Sequence, residues 1–204
     1  MGKLNTPKGK LVRKLGVNIF GNPKFDKLLS KKGYRPGQHG QSGKRFSTYS
    51  VQLKEKQKIK FMYGMLEKQF RNYFKKAAQM KGETGLNLLV MLESRLDNVV
   101  YKLGFAPSRP SARQLVSHAH FMVNGRKVNI PSYRLKPGDI IEVRDKSKKN
   151  SMFQDSMRRI QGDNPTEWLT LDKGKLKGSF IQKPERSQII EPINEQLVVE
   201  LYSK

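Results

Sequence analysis

The side chains able to do chemistry in this chain are overwhelmingly cationic. His39, His118 and His120 are the only imidazoles, and no carboxylate cluster stands at a readable spacing from any of them. A general acid or base needs such an orienting partner, so His39 in its loop reads as a phosphate or backbone hydrogen-bonder. With no cysteine there is neither a disulfide nor a thiolate metal site. No glycine run of the P-loop type is present to cradle nucleotide phosphates. What recurs is positive charge at regular spacing. Arg109, Arg113 and Ser117 stand four residues apart, on one helix face, with Ser108, Gln114 and His118 beside them. Asn124, Arg126 and Lys127 follow on a tight turn. Arg13, Lys14, Arg35, Lys44 and Arg45 are scattered through a glycine-rich N-terminus, and Lys54, Lys56, Lys58, Lys68 and Arg71 through two helical stretches. Such groups bridge phosphates.

The elements that must position them can be read from period and punctuation. Leu96, Val99, Val100 and Leu103 give one apolar helix face, and Ala112, Leu115, Val116 and Ala119 give a second after a break at Gly104–Pro107. Asn124-Gly125 is a strong signal for a type I′ hairpin turn, whose two central residues need positive φ. Lys136-Pro137-Gly138-Asp139 suits a type II turn, and Ile140, Ile141 and Val143 follow as a strand. Residues 93–145 therefore make a module of two helices on a small hairpin sheet, with one cationic helix face.

Charge sets the class of partner. The chain of 204 residues has 41 Lys and Arg against 17 Asp and Glu, a net +24. That excess is most simply matched by a polyanion, with nucleic acid ahead of an anionic membrane. No stretch approaches the roughly 18 apolar residues of a spanning helix, and the basic N-terminus lacks the apolar core of a signal peptide. Residues 1–60 carry +14, residues 61–159 carry +11, and residues 160–204 carry −1. The polyanion thus meets the first three quarters of the chain, and the near-neutral tail is the place for a protein partner.

Around the module, residues 1–46 read as an extended basic arm with a short helix or two, ordered mainly by its partner. Residues 47–63 and 66–80 read as helices. The first presents Lys54, Lys56, Lys58 and Lys60. The second has Leu66, Phe70, Tyr73, Phe74 and Ala77 on one side and Lys68, Arg71, Lys75 and Lys76 on the other. An apolar pattern from Leu88 to Leu103 leaves open a kink near Glu93-Ser94. Residues 146–161 read as an amphipathic or partly frayed helix with Met152, Phe153, Met157 and Ile160 on one side. Gly162–Pro165 is expected as a loop, Trp168–Leu171 as a short apolar run, and Lys177-Gly178 as a turn before Ser179–Gln182. The ending Asn194–Tyr202 is too apolar for a free tail and is expected as a core strand, an interface, or both, packed on the helices of 47–92. The fold class expected is α+β and mainly helical. A discontinuous helical outer domain (47–92 and 146–204) would surround the module at 93–145, after the arm at 1–46.

The module resembles the alpha-L RNA-binding motif. The matching residues are Glu93-Ser94-Arg95-Leu96-Asp97, Ser108-Arg109, Ala112-Arg113-Gln114-Leu115-Val116, His118 and Val123-Asn124-Gly125. Pro36-Gly37-Gln38-His39-Gly40, Leu53-Lys54-Glu55-Lys56-Gln57, Tyr63-Gly64, Lys68-Gln69-Phe70 and the ending from Asn194 to Lys204 extend the likeness to the whole chain from about residue 8. Together they are similar to the bacterial and organellar family of small-subunit ribosomal protein four. The resemblance implies a primary binder of small-subunit ribosomal RNA at a multi-helix junction of the 5′ domain, helping to nucleate the subunit body. It implies contact with ribosomal protein five and other small-subunit proteins, a place near where mRNA enters, and an influence on translational accuracy. It also implies residence in the ribosome, in the cytoplasm or in an organelle stroma or matrix, and no homo-oligomer. Many relatives bind zinc through N-terminal cysteines; with none here, no zinc or other cofactor is expected. Pro110 departs from the polar or basic residue common there, but the first turn of a helix tolerates proline.

Two other readings carry the same module. An RNA-modifying enzyme needs a catalytic domain, for which the flanks are short and basic. A stress factor that binds free subunits needs little beyond the module. In the ribosomal reading, Glu195, Glu200 and Tyr202 are the candidates for the protein interface.

Overall fold

The computed structural model describes residues 6–42, 47–158 and 166–203. Its chain divides into two compact units, Met1–Gly85 with Pro192–Lys204, and Leu86–Glu191.

The first unit is helical. Helix α1 (Lys8–Leu15) buries Leu11, Val12 and Leu15 and stops at Gly16, whose φ of 69° is the left-handed cap position that glycine fills. Helix α2 (Pro23–Lys31) starts with proline in its first turn after Asn22, whose side chain accepts from the Lys24 N–H. These are the short helices expected within the arm. Their shared apolar groups, rather than helix propensity, hold pieces of only eight and nine residues. Helix α3 (Thr48–Met62) is capped by Ser47, and α4 (Glu67–Ala78) buries Phe70 and Ala77.

The C-terminal segment differs from the strand expected. It is helix α10 (Glu195–Tyr202), with the Asn194 side chain accepting from the Leu197 N–H. The run Val198-Val199 favours a strand by composition. The cap and the four-residue spacing of Val198 and Tyr202 decide for a helix. It packs on α3: Gln52 Nε2 donates to Glu200 at 2.9 Å, and Lys58 Nζ donates to the Pro192 carbonyl at 3.0 Å. Tyr202 stacks on Phe74, with centroids 4.4 Å apart.

The second unit sets two helices on a sheet. Helix α5 (Thr84–Glu93) gives way to α6 (Leu96–Lys102) across Ser94-Arg95, which settles the expected kink. There the strap 131–135 takes over the helix hydrogen bonding. Leu96 N–H donates to the Tyr133 carbonyl, Asp97 N–H to that of Pro131, and Leu135 N–H to that of Ser94. Helix α7 (Arg109–Ser117) follows. The strands β1 (Phe121–Val123), β2 (Arg126–Val128), β3 (Ile140–Val143), β4 (Leu169–Asp172) and β5 (Lys177–Phe180) form one antiparallel sheet in the order β2-β1-β3-β5-β4. Asn124 and Gly125 have φ of 50° and 74°, as the hairpin turn requires, and Gly138 has 90°.

The sheet is larger than the single hairpin expected, because β4 and β5 continue it past residue 145. Lys177-Gly178 is not a turn but the start of β5, paired with β3 and β4. A Cβ at Gly178 would lie 2.5 Å from Leu103 Cδ1, so this glycine serves a close strand–helix approach. The stretch from 146 is two helices, α8 (Asp145–Lys148) and α9 (Ser151–Arg158), with Phe153 and Met157 buried. Ile160 and the loop expected at Gly162–Pro165 lie outside the described residues. The core gathers Leu96, Val100, Phe105, Val116, Phe121, Ile141, Phe153, Trp168 and Phe180, among others.

Candidate nucleic-acid interface

Helix α7 is built to show one side. Ser108 caps it, its Oγ accepting from the Ser111 N–H, and Pro110 sits in the first turn without interrupting it. Ala112, Leu115 and Val116 face the core. On the other side the residues are not equivalent. The Arg109 side chain is only 13% exposed: Nη2 meets Glu191 Oε1 at 2.9 Å, Nε donates to Asn98 Oδ1 at 2.8 Å, and the guanidinium lies over the Tyr101 ring. Lys102 reaches the same Glu191 oxygen at 2.7 Å. Burial tends to raise the Glu191 carboxyl, but Lys102 and Arg109 outweigh it and hold the group below the usual carboxylate range. Arg109 is thus a structural cation. Arg113 is half-buried, Ser117 Oγ donates back to the Arg113 carbonyl, and Gln114 and His118 are exposed.

At the hairpin, Arg126 and Lys127 are exposed. Asn124 is exposed too, but its amide clasps two turns together. Nδ2 donates to Asp139 Oδ1 at 2.8 Å and Oδ1 accepts from the Ile140 N–H at 2.9 Å. Two further exposed cations of this unit, Arg134 and Lys136, were not singled out from the sequence. The signal was there: Lys136 opens the Lys-Pro-Gly turn and Arg134 stands two residues before it.

In the helical unit, Lys14, His39, Lys68 and Arg71 are exposed, and Arg35 and Lys54 are half-buried. Arg13 braces the neighbouring loop, donating to the carbonyls of Tyr34 and Arg35 and lying over the Tyr34 ring at 4.8 Å. Lys44 and Arg45 lie outside the described residues. The expected cationic face of α3 is not formed. Residues two apart on a helix diverge by about 200°, and Lys56 and Lys58 are 8% and 7% exposed. Lys56 Nζ lies 2.6 Å from Glu67, which also holds Lys60 at 2.8 Å, and Lys58 pairs with Glu55 at 2.6 Å. Burial tends to raise the Glu67 carboxyl; the hydrogen bonds and charges of Lys56 and Lys60 prevail and lower it to about 2. Of the three tail residues, Glu195 packs beside Gly85, Glu200 accepts from buried Gln52, and the Tyr202 hydroxyl donates to Glu67 at 3.2 Å.

Among the described residues no group of three or more His, Cys, Asp or Glu is placed to hold a metal, and no helix is long and apolar enough to cross a membrane. The surface offers cations on α4, the arm and the hairpin, while several of the acidic groups are drawn into internal pairs.

Comparison with known proteins supplies the family. The family described as Ribosomal protein S4/S9 N-terminal domain matches residues 3–93, and the S4 domain matches residues 94–141. The two meet at the break between α5 and α6. Small ribosomal subunit protein uS4 of Chlorobaculum tepidum is 54% identical over 96% of each chain, and that of Chloroherpeton thalassium is 53% identical over the same share. The chain belongs to the uS4 family of ribosomal proteins. These uS4 relatives are named as ribosomal proteins and not as enzymes, so the RNA-modifying alternative falls. The match along 96% of the chain also goes well beyond an isolated module.

Proposed function

We propose that this chain is a structural constituent of the small ribosomal subunit. It binds small-subunit ribosomal RNA at a multi-helix junction of the 5′ domain, helps nucleate the subunit body and contributes to translational accuracy. It acts as a single copy, in the ribosome, near where mRNA enters, and it contacts ribosomal protein five through its near-neutral C-terminal part. The observation that carries the RNA reading is the sorting of its cations. Lys56, Lys58 and Arg109 are held by carboxylates, whereas Lys68, Arg71, Lys75, Lys76, Arg126 and Lys127 are exposed on regular elements. Cations set on ordered elements of each unit suit RNA read by backbone and shape, because the A-form major groove is too deep and narrow for side chains. Neutralising several phosphates releases counterions, which makes affinity steeply salt-dependent.

The test is hydroxyl-radical footprinting on a transcript of the 5′ domain, with wild type and the double variant Arg126→Gln/Lys127→Gln. Protection at a junction, weakened in the variant, is the expected result. Protection spread evenly over the transcript would contradict recognition of a junction. For the tail, Glu200→Gln is expected to raise misreading in a reporter assay while leaving RNA affinity unchanged. Weaker RNA binding with unaltered accuracy would overturn the assignment of that segment to a protein partner.

A further inference from the structure

The strap between β2 and the Lys-Pro-Gly turn carries an aromatic side chain that neither the core nor the proposed phosphate contacts use. Pro131 and Leu135 turn inward and are buried, while Ile130 and Tyr133 remain 55% and 38% exposed. The strap is not a loose loop. Its backbone is fastened at three points to the start of α6, through Leu96 N–H to the Tyr133 carbonyl at 2.9 Å, Asp97 N–H to the Pro131 carbonyl at 3.1 Å and Leu135 N–H to the Ser94 carbonyl at 2.9 Å. Tyr133 N–H closes a turn onto the Ile130 carbonyl at 3.0 Å. Beneath it, Arg95 and Asp97 form a buried ion pair at 2.6 Å that fixes the helix start. The backbone that carries the partly exposed ring is therefore held in place before any partner arrives, which reduces the ordering needed on binding.

Its surroundings choose the partner. From residue 126 to residue 138 the chain has Arg126, Lys127, Arg134 and Lys136 and no carboxylate. The first carboxylate beyond, Asp139, is engaged by the Asn124 amide and the Lys136 N–H. A protein partner would have to bring acidic groups to this patch. Single-stranded RNA brings phosphates together with a flat, unstacked base, the combination that an aromatic ring among cations receives.

We propose that Tyr133, flanked by Ile130 and Arg134, is a stacking platform for one unpaired base of the bound ribosomal RNA. The inference rests on the RNA-binding reading above and adds a base contact to what is otherwise phosphate recognition. Stacking on a ring is worth about 5- to 150-fold in affinity per base. Because it neutralises no phosphate, it leaves the salt slope unchanged.

The experiment titrates the full chain against the 5′ domain transcript at several salt concentrations, using wild type, Tyr133→Phe, Tyr133→Leu and Arg134→Gln. Each variant is expected to fold, since the strap's bonds to α6 are made by backbone, and circular dichroism checks this. Tyr133→Phe is expected to bind like wild type. Tyr133→Leu is expected to bind about 5- to 150-fold more weakly with an unchanged slope, and Arg134→Gln to lower the slope by about one. Wild-type affinity in Tyr133→Leu would overturn the platform and leave the RNA reading intact. So would a loss on RNA binding shared equally by Tyr133→Phe, which retains the ring, or a defect in Tyr133→Leu confined to binding another subunit protein. Failure of wild type to bind the transcript would overturn the RNA reading itself.

Discussion

Arg109 shows how far a residue's type and spacing leave its role open. By sequence it heads a cationic row with Arg113 and Ser117; in the fold it and Lys102 share Glu191 inside the second unit. Removing one partner of a buried pair leaves an uncompensated charge. Arg109→Ala is therefore expected to cost about 3 kcal/mol of stability, the lower end for such pairs, seen as a lower urea midpoint. Its salt slope for RNA should match wild type. An unchanged midpoint with a reduced slope would return Arg109 to the interface. Gly178 is a second case. It reads as turn punctuation, yet a Cβ there would lie 2.5 Å from Leu103. Gly178→Ala is expected to destabilise by about 1–3 kcal/mol through overpacking, measured by the same unfolding curve.

At the scale of elements, the clamp of α3 and α4 gives the pH dependence its sign. The Glu67 carboxyl falls from an ordinary value near 4.5 to about 2 in the folded chain. A depressed carboxyl stabilises above its unfolded value, and that contribution is lost as pH falls through the folded one. The stability gap between wild type and Glu67→Gln should therefore be constant above about pH 5 and close as the pH falls toward 2. Glu67 is about half exposed, so solvent screens the pair and the gap is modest. A gap that widened toward low pH would contradict the assignment.

The elements themselves were largely legible: the helix caps at Ser47 and Ser108, the Asn124-Gly125 turn and the module's two helices are all written in local chemistry. What was not legible depends on contacts distant in sequence. The helix at 195–202 competes with a β-branched composition, β5 joins a strand far back in the chain, and the lysines of α3 are sorted by carboxylates as far away as Glu67. Local pattern cannot say which cations are taken by internal partners, so the membership of the candidate interface was blurred.

For the whole molecule, a charge of +24 is the dominant fact, and internal ion pairs leave it intact because each pair is itself neutral. That excess is what a polyanion meets, and it joins the family assignment to a physical mechanism. The most direct test is the affinity of the intact chain for the 5′ domain transcript as a function of salt. A surface that neutralises six or more phosphates predicts a log–log slope of roughly −4 or steeper. It also predicts a decrease of about two in that slope for Arg126→Gln/Lys127→Gln, with an unchanged unfolding midpoint. An affinity nearly independent of salt would contradict the account.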